Sequence, residues 1–212
     1  MELKANPIQH HMRQYATFYL FTTILFLMGI IFGAVLVNSM GFIQKQDLSF
    51  YLEQFFQDVL KEPVFSTHTL FQMSAMYNLK TLLLIFILGL SIIGMPVIWF
   101  ILFVKGLVVG FTVGFLVNQM GWHGFLLASG SVALQNVLLI PVFILAASLA
   151  MIFSYTLMQN LFAKRLKQPL LPPFMRYVTL FALIGGVVVI AAGIEAYLSS
   201  QAMKSIVSLI IN

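Results

Sequence analysis

The sequence predicts an all-α fold: a polytopic integral membrane bundle of about five transmembrane helices, with an amphipathic helix outside the membrane. Three observations carry this. Of 212 residues, 61% are hydrophobic and only 8% charged, against about 25% charged in soluble domains. Several apolar runs reach the roughly 20 residues that cross a hydrocarbon core about 30 Å thick at about 1.5 Å per residue. The Lys and Arg residues cluster beside those runs, as topology signals do. No polar block is long enough for a separate soluble domain, so residues 1–212 read as one membrane domain. The net charge of +5 rests on few basic residues and is no nucleic-acid signal. Cysteine is absent, which removes disulfides and thiolate metal sites.

Residues 1–16 form a short basic tail. Segment one, "TFYLFTTILFLMGIIFGAVLV", runs 21 residues from Thr17 to Val37. That exceeds the 7–15 residues of a signal-peptide core, so it reads as a retained helix. Residues 38–80 follow as the one large exposed loop. Within it, "QDLSFYLEQFFQDVLKEP" places Leu48, Tyr51, Leu52, Phe55, Phe56 and Val59 at helical spacing on one apolar stripe. Asp47 is the expected N-cap and Pro63 the stop. Its charges, Asp47, Glu53, Asp58 and Lys61, sum to −2, unlike the Lys/Arg-rich helices that lie on anionic lipid. The stripe therefore suits a membrane-lying helix or a docking helix equally.

Segment two reads as Thr81 to Val104. Segment three starts at Gly106 and, if it stops at Met120, covers only about 22 Å, so it is expected to be short or re-entrant. Segment four, from about Phe125 to Met158, is overlong and contains Gly130 and Pro141, which predict a tilt or kink. Residues 159–176 make a basic loop, and Tyr177–Leu198 is segment five. The tail 199–212 holds a second amphipathic stretch, "SSQAMKSIVSLIIN". With five spans, one side collects seven basic residues and one acid, and the other four basic residues and five acids. This orients the N-terminus and the 159–176 loop to the cytoplasm and the C-terminus outside.

The residues offer no catalytic constellation. The four histidines, His10, His11, His68 and His123, are scattered. No His-Glu-x-x-His is present, and no serine shares a span with both a histidine and an acid. No cofactor or metal is expected. Ionisable residues at or near spans are functional candidates by default. Lys105 is expected at a cytoplasmic helix junction, snorkelling to the headgroups. Glu195 falls in the last turn of segment five, tethered to a neighbour or wet. Gln135 and Asn136 are expected to hydrogen-bond between helices or to serve the carbonyl freed by Pro141. Gly106, Gly110 and Gly114 stand four apart, and Gly29 and Gly33 repeat the spacing in segment one. In lipid, close backbone contact drives helix association and glycine permits it. The faces serve packing within the chain or against another chain, and a homo-oligomer is compatible with them.

"FLMGIIFGAVLVNS", "QKQDLSFYLEQFF", "GLSIIGMPVI", "KGLVVGFTVGFLVNQMG", "QNVLLIPVFI" and "IEAYLS", in this order, resemble the stage II sporulation protein M family over nearly the whole chain. The resemblance implies a membrane protein of endospore formation, acting in engulfment at the mother-cell side of the septum. It implies a non-enzymatic scaffold that recruits two peptidoglycan hydrolases, stage II sporulation proteins D and P. Many members of the wider family carry a Pro-His-Gly-x-x-Glu motif at the fourth span. Here the matching stretch is "LQNVLLIP", with Gln135 and Asn136 in place of His and Gly, and Leu139 in place of Glu. The alternative reading, from another class, is a permease- or channel-like component moving a small or lipid-like solute. Buried charge along a watery path would mark it.

Overall fold

The computed structural model describes residues 15–61, 67–129, 134–162 and 171–211. Among them it forms six helices: α1 (Ala16–Ser39), α2 (Phe42–Lys61), α3 (Thr67–Gly89), α4 (Gly94–Leu127), α5 (Leu134–Phe162) and α6 (Leu171–Ile211). Five contain a stretch long and apolar enough to cross a membrane: Ala16–Ser39, His68–Gly89, Gly94–Leu126, Asn136–Leu161 and Leu171–Ala196. Their outward faces carry Leu20, Ile31, Leu183 and Ile190, all more than 60% exposed. An aqueous surface would not tolerate so wide an apolar belt, and lipid requires it. The chain is a multi-pass helical membrane protein.

The span count matches the sequence expectation, but boundaries differ: the fourth span begins at Asn136 rather than about Phe125, and the fifth at Leu171, inside the expected 159–176 loop. The second span begins at His68, not Thr81, so the exposed loop is shorter than residues 38–80. It ends at Gly89, and a tight turn through Leu90–Ile93 starts α4 at Gly94. Segment three is therefore neither short nor re-entrant; its glycines lie in the middle of a helix of 34 residues. The physical reason is visible in "GLSIIGMP". Gly89, Ser91, Gly94 and Pro96 make a turn, yet the apolar residues between them keep the hydropathy high. Leu90 and Ser91 donate their N–H groups to Ile87 and Leu88 in a tightened last turn. The Ser91 carbonyl accepts from Gly94 N–H at 3.1 Å and from Ser154 Oγ at 2.9 Å. Pro96 sits in the first turn of α4, where its missing N–H leaves no helix bond unmade.

Another difference concerns α2. It begins at Phe42 rather than after Asp47, and Gly41 N–H donates to Gln44 Oε1 at 3.0 Å where its chain starts. Further along, α4 breaks at Gly121, whose φ of 56° and ψ of −125° suit a residue without Cβ. Trp122 and Phe125 stack just beyond the break, with ring centroids 5.4 Å apart.

The centre of the bundle is α5. In its most apolar window 61% of residues are buried, against 22–28% in the other four spans. The residues it encloses completely are small: Ala146, Ala147, Ala150, Ser148 and Ser154 are all 0% exposed. Small residues let neighbouring backbones approach, which is how helices gain contact in lipid. Around them close Ile85 of α3, Ile98 and Leu102 of α4 and Val188 of α6, each 0% exposed. At the end of the bundle that carries the α3–α4 turn, the Tyr177 ring stacks on Phe153 (4.4 Å) and Phe86 (5.1 Å). Its hydroxyl donates to the Phe86 carbonyl at 2.9 Å, satisfying an acceptor that the tightened end of α3 leaves over.

One buried polar pair joins α1 to α5. Thr22 and Ser148 are both 0% exposed, and their hydroxyls lie 2.8 Å apart. Each also has a carbonyl of its own helix in reach, Phe18 for Thr22 and Ile144 for Ser148, so one hydroxyl donates across the pair while the other donates back. Because those local bonds survive separation of the helices, the coupling should be modest. A double-mutant cycle with Thr22→Val and Ser148→Ala should give about 0.6 kcal/mol, and not above about 1.7, in detergent unfolding.

Candidate functional site

The tightest contact in the bundle joins α1 to α4, and glycine makes it. A methyl group placed on Gly29 would strike the Phe103 carbonyl oxygen and approach Gly106 Cα to 3.2 Å. On Gly33 it would strike the Leu107 carbonyl and reach Phe111 N at 2.7 Å. From the other side, Gly106 abuts the Phe26 carbonyl and Gly110 the Ile30 carbonyl, with Ile30 Cα at 2.7 Å. Gly114 is looser, facing Ala34 Cα at 3.1 Å. The two glycine faces named from the sequence thus lie against each other within one chain.

Beside this seam, between α1, α3, α4 and α5, lies a cavity of about 250 Å³ whose mainly apolar wall carries a few polar side chains. Tyr77 and Asn78 come from α3, Lys105 and Thr112 from α4, and Asn136 and Phe143 from α5. This relocates Lys105. It stands eleven residues past Gly94, about 16 Å into the bundle at 1.5 Å per residue. It belongs to mid-span, not to a junction at the headgroups. The cause is the shifted boundary: the turn is at Leu90–Ile93, so the lysine no longer marks the end of a span. Its Nζ lies 4.0 Å from the Phe143 ring centroid and 5.0 Å from that of Tyr77. Such ring faces are worth about 2 kcal/mol to a desolvated cation. A lysine at the centre of a membrane helix costs about 2.5–3.5 kcal/mol, so the rings offset much of that cost.

A polar stripe on α3 runs from the cavity toward the far end of the bundle. Asn78 is 3% exposed. Its amide donates to the Ser74 carbonyl at 3.0 Å and to Ser74 Oγ at 3.3 Å. Ser74 Oγ in turn donates to the Glu195 carboxylate of α6. Glu195 is thus held in a chain of side chains at the end of the fifth span. Ser74, Tyr77, Asn78 and Thr81 were missed by sequence reasoning, which left all but Thr81 in a loop. Their spacing at i, i+3, i+4 and i+7 was the available signal.

The remaining sequence-derived residues lie elsewhere. Asn136 lines the cavity, while the side chain of Gln135 lies outside the described residues. On α2, Leu48 and Leu52 are half-buried and Tyr51 is 67% exposed. The side chains of Phe55, Phe56 and Val59 lie outside the described residues. Phe42, Ile43 and Phe50 leave α2 with a second, exposed apolar side. His68 and His123 are exposed and far apart in sequence. Among the described residues, no group of three His, Asp or Glu side chains is placed to hold a metal ion.

Fold and site together define a class: a compact five-span helical membrane protein with a glycine-seamed core and a cationic cavity at mid-depth. The model of the family described as stage II sporulation protein M matches residues 22–200. The chain belongs to the stage II sporulation protein M family and is a sporulation-related multi-pass membrane protein. No curated protein and no solved structure matches it.

Proposed function

We propose that this chain is a non-enzymatic membrane scaffold that recruits and holds the peptidoglycan hydrolases stage II sporulation proteins D and P at the engulfing mother-cell membrane. The observation that carries the reading is the family match across 22–200. Two features support it. The most sharply glycine-defined faces of the bundle are spent on internal packing, which builds a stiff platform. Outside the bundle, α2 offers Phe42, Ile43, Phe50 and Tyr51 with more than 60% exposure each. That is a ready apolar contact for a partner next to the bilayer.

The proposed orientation puts the N-terminus in the cytoplasm and α2 outside, on the wall side. Moving Lys80, Lys105, Arg176 and Glu195 into spans leaves five basic residues and one acid on the inner side against three and four outside, so the positive-inside bias persists. In cells lacking the chain, fluorescent fusions of both hydrolases should disperse around the mother-cell membrane instead of concentrating at the septum. Unchanged foci would defeat the proposal.

The second reading, a solute permease, draws on the Lys105 cavity. It predicts that the purified chain in liposomes releases a trapped anion faster than empty vesicles.

A further inference from the structure

We infer that the Lys105 cavity is the socket for one acidic side chain carried at mid-depth by a partner's membrane helix. Depth is the first reason. Lys105 lies about 16 Å from the start of α4, and Tyr77 lies twelve residues before Gly89, about 18 Å from the end of α3. Both counts run from the α3–α4 turn, and they agree in placing the ammonium near the centre of a core about 30 Å thick. A lipid phosphate sits at the surface of that core and does not reach it. A carboxylate on a spanning helix can sit at any depth.

Charge is the second reason. Asn78 donates to Ser74, and Thr112 Oγ1 donates to the Val108 carbonyl at 2.8 Å. Their oxygens and that of Asn136 are neutral acceptors, and no Asp or Glu is among the residues that line the cavity. Lys105 is the cation of the cavity; its contacts are the two ring faces, and no described carboxylate pairs with it. Charges inside membranes pair with one another or line water, so one negative group matches the site.

Access is the third reason. Tyr77 and Val108 line the cavity and are 65% and 55% exposed, so its mouth opens on the lipid face at that depth. A volume of about 250 Å³ accepts a carboxylate side chain while the helix that bears it stays outside, against α3 and α4. Lys80 makes a useful contrast. It sits on α3 at similar depth but is exposed, with no ring contact, and is free to extend along the helix. Lys105 is held by Phe143 and Tyr77 at the cavity wall.

This inference rests on the scaffold reading, because it supplies one contact by which such a scaffold holds a membrane-anchored partner. Its test uses the full chain in nanodiscs of neutral phosphatidylcholine. The probe is a labelled Leu/Ala single-span peptide with one central Asp, compared with its Asn counterpart. The Asp peptide should bind about tenfold more tightly. Lys105→Met should remove that preference and Lys105→Arg should keep it, while both variants unfold thermally like the parent. A preference that survives in Lys105→Met, or that is missing in the parent, overturns the inference. So does a Lys105 effect that follows added phosphatidylglycerol, which points to headgroups, or one seen only in self-association of the chain. Capture of both hydrolases by the parent and by Lys105→Met alike would sink this contact and leave the scaffold reading standing. Capture by neither would sink the scaffold reading itself.

Discussion

Replacing Gly110 with Ile should abolish the folded bundle, with a loss of about 3 kcal/mol or more. Adding even one methylene to a packed interior costs about 1–3 kcal/mol, and here the obstruction is backbone. The Cβ would strike the Ile30 carbonyl and approach Ile30 Cα to 2.7 Å. No rotamer change can clear it, so α1 and α4 must separate. Position decides the size of the effect. Gly114→Ala meets Ala34 Cα at 3.1 Å and should cost far less. Gly186→Ala on α6 meets nothing within 4 Å. It should be neutral or gain the roughly 0.5–1 kcal/mol of helix preference that Ala has over Gly. The measurement is fractional unfolding in a detergent series, read by protease protection. A Gly110→Ile chain as resistant as the parent would refute the seam.

The second large effect concerns Tyr177. Tyr177→Ala should cost about 3–5 kcal/mol, the range for emptying a large aromatic site in a core. The ring is 4% exposed and sandwiched between Phe86 and Phe153. Tyr177→Phe keeps the stack but leaves the Phe86 carbonyl without its donor, so about 1–3 kcal/mol should go. The ratio of the two losses separates stacking from hydrogen bonding. Equal losses would mean that the ring contributes little and that the hydroxyl carries the site. Because Gly89 lies against both the Tyr177 hydroxyl and Ala150, the same stack also fixes where α3 ends and the turn begins.

The helices that were plain in the sequence are α1, α5 and α6, each with its own apolar run. In α1 the hydropathy rises and falls where the helix does, whereas α6 runs on to Ile211 past a span that ends at Ala196. The helix α3 was obscured because Ser74, Asn78 and Lys80 depress its hydropathy to 1.4, against 2.3–2.6 for the other spans. At the same time the apolar run from Thr81 to Val104 passes straight through the Leu90–Ile93 turn. Hydropathy measures what lipid tolerates and is blind to a turn built from Ile, Leu and Gly. The displaced boundary then moved Lys105 from mid-span to a headgroup position. The cavity stayed hidden because its members come from four helices, and only tertiary packing brings Asn78, Thr112 and Asn136 beside that lysine. The glycine spacing, by contrast, was visible as a local pattern, while the choice of partner helix was not.

The proposed scaffold is a multi-pass helical bundle with α2 beside it and the Lys105 cavity within it. The most direct measurement is affinity capture of the tagged full chain from detergent-solubilised membranes of sporulating cells, with quantification of stage II sporulation proteins D and P against an untagged control. The account predicts that both hydrolases are enriched with the parent and lost with Gly110→Ile. Recovery of neither hydrolase with a correctly folded parent chain, together with anion release from liposomes that contain it, would contradict the account and favour a transporter.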